Sequence, residues 1–477
     1  MKITSYPGFS PPARLAPLTY LLLPSLPLVF LAHRLAFLPP GYLNVEFLLI
    51  GMVGVFLPRT VTFVLLFLDS FADFALCICK TYQLTLDDVF TSLGSINAMP
   101  TYRVPLFILT LLLVILVCAA TVLVQPRRPE RHWTAGSLLV VFVVASLAGI
   151  LAGQRPFGNG YVSDSYRRIV RCPAFSLAKM EVFYHRVKLE SRYPNTSALA
   201  SASFTLSAIL HQPNAGQPPD VVLVLVESWG LPLDAHLAQT LTAPYDDPGI
   251  ASKYYVTYGS VPFSGGTVPA EARELCHSKI AFGLLRATAQ RLGSCLPALF
   301  HQRGYINLSI HGYTGRMFQR SIWYRTIGFD QSWFGPDLDL LKLSKCGGAF
   351  PGTCDTAIAS WIGSSILSVK HDKPRFIYWV TLNSHLPVPA HPNLPDNDVC
   401  ATQPALQKST ALCSWFRLIS AVHQSVQQLA LSSTTRPTLF VLVGDHAPPF
   451  ADSQLRQEFS ATNVPYVILT PTASSLR

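Results

Sequence analysis

Charged residues are scarce in this chain. Asp, Glu, Lys and Arg make up 13% of its 477 residues, whereas a soluble domain carries about 25%. Half of the residues are hydrophobic, and they crowd residues 1–154, while the later part has the composition of an ordinary globular domain. The deficit argues against a wholly soluble protein and predicts a membrane region ahead of a globular one.

Long tracts of Lys and Arg are missing too, as are internal repeats and low-complexity segments. The formal net charge is nevertheless +10. Anionic lipid head groups explain a basic membrane protein as well as nucleic acid does, and a nucleic-acid-binding tail would need a longer basic tract. We therefore predict a membrane partner and no nucleic-acid partner.

The apolar residues at positions 1–154 form four or five segments, which predict a transmembrane domain of about five helices. A helix needs roughly 20 apolar residues to cross a hydrocarbon core about 30 Å thick. Pro58 and Arg59 interrupt one run and indicate a tight turn between two spans, although a single long helix that buries Arg59 is the alternative. The predicted spans cover residues 16–37, 43–58, 60–80, 104–125 and 134–153.

The Lys and Arg residues that flank these segments set their orientation. Most of them fall on the cytoplasmic side of a five-span arrangement, so everything after residue 154 is predicted to lie outside the cytoplasm. No small-residue cleavage site follows the first segment, and no cleavable signal peptide is predicted. Asp69 and Asp73 are functional candidates within or near the third span, unless they pair with Lys80 or with head groups at the outer interface.

Residues 155–216 have the composition of a juxtamembrane linker, and residues 217–477 alternate between strand and helix patterns. Strands separated by helices predict an α/β fold with a mostly parallel sheet flanked by helices. The predicted strands are Val221–Val226, Tyr305–Ile310, Phe376–Leu382, Leu439–Val443 and Tyr466–Leu469, and the predicted helices are Val268–Leu285, Thr356–Val369 and Leu412–Leu431.

Six of the ten cysteines form three pairs that are close in sequence, and all six lie in the later part of the chain. Local disulfides of this kind persist only in oxidising compartments, which fits the predicted outer location. A zinc site is the alternative, although no pair has CxxC spacing. The pairs are Cys276 with Cys295, Cys346 with Cys354, and Cys400 with Cys413, and Cys172 is the seventh cysteine after residue 154.

The clearest candidate for chemistry is Glu227, which directly follows six consecutive aliphatic residues, Val221 to Val226. Such a run predicts a strand buried on both faces, and ligands bind outside the carboxyl ends of strands in open α/β sheets. Burying an unpaired carboxylate is costly, so it needs a cation or a hydrogen-bond partner. We predict that Glu227 holds a divalent metal; the alternative is the N-cap of a following helix.

A second candidate is Thr267 in the stretch FSGGTVPAEARELC. Two glycines precede it, and Pro269 favours a first helical turn. This places the hydroxyl at a helix N-terminus, where backbone N–H groups favour an anion. A hydroxyl becomes a good nucleophile once a base or a metal withdraws its proton. Thr267 is therefore a candidate nucleophile, and a helix N-cap is the alternative.

A third candidate is the pair Asp445 and His446 in the stretch LFVLVGDHAPP. The pair ends another buried strand, in the position that Glu227 has in the first one. Two carboxylates and an imidazole at neighbouring strand ends suit Zn²⁺ or Mn²⁺. The alternative is a salt-bridged pair of loop residues.

Two further stretches carry groups that suit phosphate chemistry. His385, in TLNSHL, follows a strand and could contact a phosphate or protonate a leaving group. The stretch IHGYTGRMFQRSIW carries His311, Arg316 and Arg320, and arginine suits bidentate phosphate contacts. A surface loop with solvated charges is the alternative for this second stretch.

These stretches, in this order, resemble the lipoteichoic acid synthase and phosphoethanolamine transferase branch of the alkaline phosphatase and sulfatase superfamily. The resemblance covers roughly residues 217–471 and fits the multi-span anchor. It implies that a metal is bound by Glu227 in VESWG, Thr267 in SGGT, and Asp445 and His446 in GDHAPPF, and that Thr267 takes the phosphoryl group covalently. His385 matches the branch as well.

The resemblance also has departures. Arg320 occupies the place of a phosphate-contacting arginine, but Phe318 replaces a tryptophan common in the branch. The sequence TVPAEAR around Thr267 lacks the C/S-x-P-x-R signature of a sulfatase proper, which favours phosphoryl transfer over sulfate ester hydrolysis. The three cysteine pairs look like those of Gram-negative phosphoethanolamine transferases.

The resemblance implies a sulfatase-like catalytic domain at residues 217–477. The expected enzyme sits in the bacterial inner membrane with this domain in the periplasm. It would move phosphoethanolamine or phosphoglycerol from a phospholipid donor to a glycan or lipid-sugar acceptor. Two alternatives stay open, namely a membrane-bound hydrolase that uses water as acceptor and a non-catalytic scaffold for surface-polymer assembly.

Overall fold

A computed structural model describes residues 19–20, 22–28, 43–82, 104–123, 131–151, 170–174, 177–178, 201–206, 218–263, 265–277, 295–392, 394, 399–432, 434–450 and 452–472. Contacts divide the chain into two compact units, residues 1–89 with 101–189, and residues 90–100 with 190–477.

The described residues of the first unit are mainly helical. Between its first two long helices the chain turns over residues 55–58, and the Thr62 hydroxyl donates a hydrogen bond to the carbonyl oxygen of Gly54 at 3.2 Å. The turn predicted at Pro58 is therefore confirmed, and a single long helix is wrong. The helices are α1 (Glu46–Gly54), α2 (Arg59–Tyr82), α3 (Val104–Leu123) and α4 (Arg131–Leu151), and two short parallel strands are β1 (Leu43–Asn44) and β2 (Val170–Arg171).

One helix among the described residues is long and apolar enough to cross a bilayer, over Arg59–Cys77 in α2. The apolar parts of α3 and α4 are shorter, Ile108–Leu123 and His132–Ala148. The span predicted at 16–37 lies largely outside the described residues. The multi-span domain therefore stays a prediction.

The second unit is built on a seven-stranded sheet in the order β4-β11-β10-β3-β9-β5-β6. Within it β11 is antiparallel to both of its neighbours, and the other pairs are parallel. The predicted α/β fold with a mostly parallel sheet is confirmed. The strands are β3 (Asp220–Val226), β4 (Tyr254–Pro262), β5 (Ile306–His311), β6 (Gln331–Trp333), β9 (Arg375–Val380), β10 (Thr438–Gly444) and β11 (Asn463–Pro471), and β7 (Lys345–Cys346) pairs with β8 (Gly352–Thr353) in a separate hairpin.

Helices cover both faces of the sheet. Their bounds are α5 (Ala235–Thr242), α6 (Pro248–Lys253), α7 (Thr267–Cys276), α8 (Leu296–Gln302), α9 (Arg320–Thr326), α10 (Gly335–Leu340), α11 (Asp355–Trp361), α12 (Val399–Thr402), α13 (Thr410–Leu431) and α14 (Ser453–Gln457). Strand β3 is buried along its whole length. Side chains at its even positions, Val222, Val224 and Val226, pack in one core with α5, α11 and α13. Side chains at its odd positions, Val221, Leu223 and Leu225, pack in a second core with α7, α8 and α9.

All five predicted strands are present, with slightly different ends. The sequence pattern missed β4 and β6. Strand β4 lies at a sheet edge and is mostly exposed, so it carries no hydrophobic run, and β6 has only three residues. The helix predicted over Val268–Leu285 covers Thr267–Cys276 in the structure, and residues 278–285 lie outside the described part.

Three disulfides close the predicted pairs, Cys276–Cys295, Cys346–Cys354 and Cys400–Cys413. The disulfide prediction is confirmed, and zinc binding by these cysteines is wrong. The first bond joins the end of α7 to the residue before α8, which links two of the helices on one face of the sheet. Each bond of this kind stabilises a fold by roughly 2–4 kcal/mol.

Candidate metal centre

Three potential metal ligands meet at the carboxyl ends of two adjacent strands. Glu227 follows β3, and Asp445 and His446 follow β10, whose Gly444 is paired with Val226. One ligand atom from each residue lies within 4.8 Å of the others, and all three residues are buried. His446 Nε2 is 3.5 Å from Glu227 Oε1 and 3.3 Å from Asp445 Oδ2.

The backbone around the two strand ends explains why they can approach so closely. A Cβ atom at Gly444 would collide with the carbonyl oxygen of Trp229, so only glycine allows this contact. Ser228 has a φ of 56°, and its N–H donates to Asp445 Oδ1 at 2.7 Å while its hydroxyl donates to Glu227 Oε1 at 2.8 Å. Ser228 therefore orients both carboxylates, a role that the sequence did not suggest.

The cluster holds two carboxylates and one imidazole, and these groups shift each other's pKa values. Burial and the neighbouring Glu227 raise the pKa of Asp445 to about 7. Burial opposes the charge of His446, but Asp445 and Glu227 outweigh it and raise the pKa of that imidazole. Buried Asp445 Oδ2 has no hydrogen-bond partner among the described residues. Two carboxylates and one imidazole, with Asp445 Oδ2 accepting no hydrogen bond from the described residues, fit a divalent zinc or manganese ion.

Thr267 points its hydroxyl at this cluster. It is the first residue of α7, and Gly266, rather than Thr267, is the N-cap. Thr267 Oγ1 donates a hydrogen bond to Glu227 Oε2 at 3.0 Å. The N-cap alternative therefore does not describe this residue, and its oxygen stands beside the candidate ligands.

His385 lies in the loop after β9, where several hydrogen bonds fix its position. Its Nδ1 is 2.8 Å from the carbonyl oxygen of Leu386. The hydroxyl of Ser384 donates to the carbonyl of Glu227 at 2.6 Å, and the charge of His385 helps to lower the pKa of Glu227, although burial opposes that shift. The loop is thereby tied to the strand end that carries Glu227.

Asp355, which no sequence motif singled out, supports the same loop. Its carboxylate accepts hydrogen bonds from the backbone N–H groups of Leu382 and Asn383 at distances of 2.8 to 3.1 Å. Asn383 returns a hydrogen bond by accepting from the Asp355 N–H at 2.7 Å. The only sequence signal was an acidic residue at the first turn of a helix.

His311 and Arg320 lie together in a second buried group. His311 ends β5, and its Nδ1 is 3.1 Å from the carbonyl oxygen of Val380, so this nitrogen carries the proton. Its Nε2 lone pair then faces Arg320 Nη1 at 3.5 Å. Burial, with the nearby Arg320 charge, lowers the pKa of His311 to about 3, so the imidazole is neutral.

Arg320 is held by a carboxylate that the sequence analysis did not single out. Its Nε is 3.2 Å from each carboxylate oxygen of Glu271, and the Tyr324 hydroxyl donates to Glu271 Oε1 at 2.5 Å. Burial raises the pKa of Glu271, while Arg320 and Tyr324 oppose that rise. The available signal was spacing, because Glu271 lies four residues after Thr267 on the same helix.

Phe318 lies beside Arg320 in an unusual backbone conformation. The Arg320 Cζ atom is 5.2 Å from the centre of the Phe318 ring. Phe318 and Gln319 both have a φ of 54°, which costs a non-glycine residue free energy and persists where neighbours enforce it. The Trp323 indole enforces it here by donating to the Phe318 carbonyl at 3.1 Å.

The structure thus forms two groups from the predicted site residues. Glu227, Thr267, Asp445 and His446 form the first, with His385 in the adjoining loop. Arg320, Phe318 and His311 form the second. Helix α7 contributes to both, because it carries Thr267 and also Glu271, whose carboxylate binds Arg320.

The chain was compared with protein families, curated sequences and solved structures. The family model described as Sulfatase matches residues 219–475. No curated protein sequence matches the chain.

Three solved structures are similar to the chain at low identity. They are the lipoteichoic acid synthase LtaP from Listeria monocytogenes (13% identity, 56% of this chain and 71% of that chain, TM-score 0.38), the Streptococcus pyogenes phosphoglycerol transferase GacH with sn-glycerol-1-phosphate (16%, 58% and 76%, 0.40), and the zinc complex of the C-terminal periplasmic domain of EptC from Escherichia coli (13%, 54% and 74%, 0.35).

Proposed function

Because this chain belongs to the sulfatase family, we propose that it is a metal-dependent transferase. It moves phosphoethanolamine or phosphoglycerol from a membrane phospholipid to a cell-envelope glycan or lipid, through a covalent intermediate on Thr267. The observation that carries this proposal is the hydrogen bond of 3.0 Å from Thr267 Oγ1 to Glu227, within a group of buried ligand residues. The choice of phosphoethanolamine or phosphoglycerol as the transferred group rests on the motifs VESWG, SGGT, TLNSHL and GDHAPPF.

Glu227, Asp445, His446 and Thr267 would hold the metal. Bound there, zinc or manganese would lower the pKa of the Thr267 hydroxyl, as a divalent ion lowers that of bound water. Ser228 keeps both carboxylates facing the site through its N–H and its hydroxyl. Glu227 Oε2 accepts the hydrogen bond of the Thr267 hydroxyl and so orients its oxygen toward the other ligand residues.

Thr267 would give up its hydroxyl proton to solvent on metal binding. In the first step Thr267 Oγ1 then forms a bond to phosphorus, and the bond between phosphorus and the diacylglycerol oxygen breaks. The departing oxygen needs a proton, and His385 is the candidate donor because it is half-buried in the loop that is hydrogen-bonded to Glu227. In the second step an acceptor hydroxyl gives its proton to His385 and attacks phosphorus, and the bond between phosphorus and Thr267 Oγ1 breaks. Arg320 is the candidate phosphate ligand, with Phe318 and His311 beside it.

Two observations support a membrane enzyme with an outward catalytic domain. Large apolar residues are exposed along α3 and α4, among them Leu112 (58%), Leu116 (66%), Val140 (61%) and Val144 (60%), and such faces suit lipid better than water. The disulfides of the second unit need an oxidising compartment. We therefore place the chain in the bacterial inner membrane as a multi-pass protein, with the catalytic domain in the periplasm.

The proposal is tested by replacing the nucleophile. The full chain, loaded with zinc or manganese, is incubated with phosphatidylethanolamine or phosphatidylglycerol, and mass spectrometry follows the peptide that contains Thr267. The wild type should gain a mass of one phosphoryl head group from one of these lipids, and Thr267→Ala should not. The matched control is Thr257→Ala on the exposed strand β4.

Transfer that persists in a folded Thr267→Ala protein would remove this residue from the mechanism. Product analysis with and without a glycan acceptor then separates transfer from hydrolysis, since a hydrolase releases the same free head group in both cases. A purified protein that binds no metal would favour the scaffold alternative.

A further inference from the structure

Glu271 is a fully buried carboxylate that the proposed reaction does not use. It lies one helical turn after Thr267 on α7, and residues four apart share one face of a helix. Its neighbours are Arg320 on α9 and Tyr324, one turn further along α9. The helix that presents the nucleophile is therefore bonded directly to the arginine that is the candidate phosphate ligand.

Arg320 is held from two sides. On one side both Glu271 oxygens lie 3.2 Å from its Nε. On the other side the Nε2 lone pair of neutral His311 lies 3.5 Å from its Nη1. The side chain is 3% exposed, so solvent does little to direct it. Its orientation depends on these two partners, and the Glu271 carboxylate cancels its positive charge.

We propose that Glu271 is a positioning residue for Arg320 and that, by cancelling its charge, it sets a preference for singly charged phosphodiesters over doubly charged phosphate monoesters. The inference rests on the proposed function, because it assumes that Arg320 contacts the phosphate. A buried ion pair offers directed N–H groups to a phosphate oxygen without adding net positive charge to the site. A phosphodiester carries one negative charge, whereas a monoester carries nearly two above pH 7, since its second pKa is about 6.

The charge argument is tested with Glu271→Gln, which keeps the shape of the side chain and removes its charge. The two probes are bis(p-nitrophenyl) phosphate and p-nitrophenyl phosphate at pH 8. The ratio of kcat/KM for the monoester to that for the diester should rise by roughly tenfold, because Arg320 then acts as an uncompensated charge in a site of low dielectric.

The matched control is Tyr324→Phe. It removes the other hydrogen bond to Glu271 Oε1 and leaves the Glu271–Arg320 pair in place, so the substrate ratio should stay at the wild-type value even if melting temperature falls. Glu271→Asp keeps the charge but shortens the side chain. It should keep the wild-type ratio and lower kcat for the diester, because the carboxylate no longer reaches Arg320 properly.

The inference is overturned if Glu271→Gln folds and has the same substrate ratio as Tyr324→Phe. A binding measurement separates this outcome from failure of the proposed function. Inorganic phosphate is titrated calorimetrically at pH 8 into the full chain in detergent. It should bind the Gln variant about tenfold more tightly than the wild type, whether or not either protein transfers a head group.

If Glu271→Gln does not fold, the Asp and Phe variants decide. Equal kcat values for the diester in Glu271→Asp and Tyr324→Phe would overturn the positioning role. A selective loss of kcat in Glu271→Asp, with KM little changed, would support it.

Discussion

The two ends of strand β3 each carry a buried acid, and the two acids have opposite surroundings. At the amino end, Asp220 accepts hydrogen bonds from Arg375 Nε at 3.1 Å and Nη2 at 2.5 Å, and from the Arg375 N–H at 2.8 Å. At the carboxyl end, Glu227 lies beside a second carboxylate, Asp445, and the two share one imidazole, because His446 Nε2 is 3.5 Å from Glu227 Oε1 and 3.3 Å from Asp445 Oδ2. One strand thus carries a neutralised acid and an acid placed against another negative charge.

The difference indicates separate tasks for the two edges of the sheet. A buried acid that is fully paired with an arginine contributes to a unique fold without needing a ligand. A pair of acids held together by Ser228 and Gly444 disfavours the protein without a ligand and favours binding of a cation. The predictions below test this separation, beginning with the largest expected effect.

Replacement of Asp445 by Asn should abolish function and leave the fold intact. Transfer should fall by on the order of a thousandfold or more, as when a member of a catalytic group is lost. The free energy of unfolding of the chelated protein should stay level or rise, because one of two like charges is gone. A transfer assay and urea unfolding of the full chain measure the two effects. A loss of stability with retained transfer would mean that Asp445 serves the fold and not the chemistry.

Replacement of Arg375 by Leu should do the opposite. It leaves Asp220 buried without a cation, which lowers the free energy of unfolding by about 3–5 kcal/mol, while metal binding at the other edge persists. The control is Lys345→Ala, which breaks a surface ion pair whose side chains are 63% and 43% exposed and should cost at most about 1 kcal/mol. Equal losses in the two variants would contradict the comparison.

Metal should stabilise the folded protein by binding at the carboxyl ends of β3 and β10, and not at the edge that carries Asp220. Zinc or manganese at about 100 times its Kd should raise the free energy of unfolding by about 2.7 kcal/mol, and a chelator should remove the gain. The gain should vanish in Asp445→Asn and persist in Arg375→Leu. Melting curves with and without metal measure it, and a gain in Asp445→Asn would mean that the ion binds elsewhere.

Acid should weaken the core independently of either edge, through His423 on α13. Burial lowers the pKa of His423 to about 3, and its Nδ1 lies 3.0 Å from the Tyr245 hydroxyl. Its contribution to stability is complete above pH 6.5, where the unfolded chain is also neutral, and is lost as pH falls toward 3. The slope is at most about 1.4 kcal/mol per pH unit.

His423→Gln should flatten that slope between pH 6.5 and 4, whatever its effect on stability at neutral pH. Unfolding measured at several pH values gives the slope for each protein. The same slope of unfolding free energy against pH in both proteins would show that the acid response arises from other residues than His423.

The sequence predicted those features whose cause is local. Hydrophobic runs marked the central strands, and the residues just after two of them, Glu227 and Asp445, meet at one sheet edge because parallel strands end together. Thr267 was recognised from the glycines before it. In each case the pattern and its physical reason lie within about ten residues.

The features that the sequence did not reveal depend on partners far along the chain. Glu271 matters because Arg320 lies 49 residues later and folds back onto it. Asp355 matters because it caps a loop 27 residues away. Edge strand β4 has no buried run because one side of it is open, so its pairing with β11 could be found only in three dimensions.

Gly444 offers a practical handle for work in living cells. Its hydrogen atom occupies a space that a methyl group would contest with the Trp229 carbonyl, so an alanine allele would part the two strand ends while every ligand residue keeps its identity. Such an allele would encode a full-length, unreactive protein. It would let a geneticist distinguish the need for the chemistry from the need for the presence of the protein.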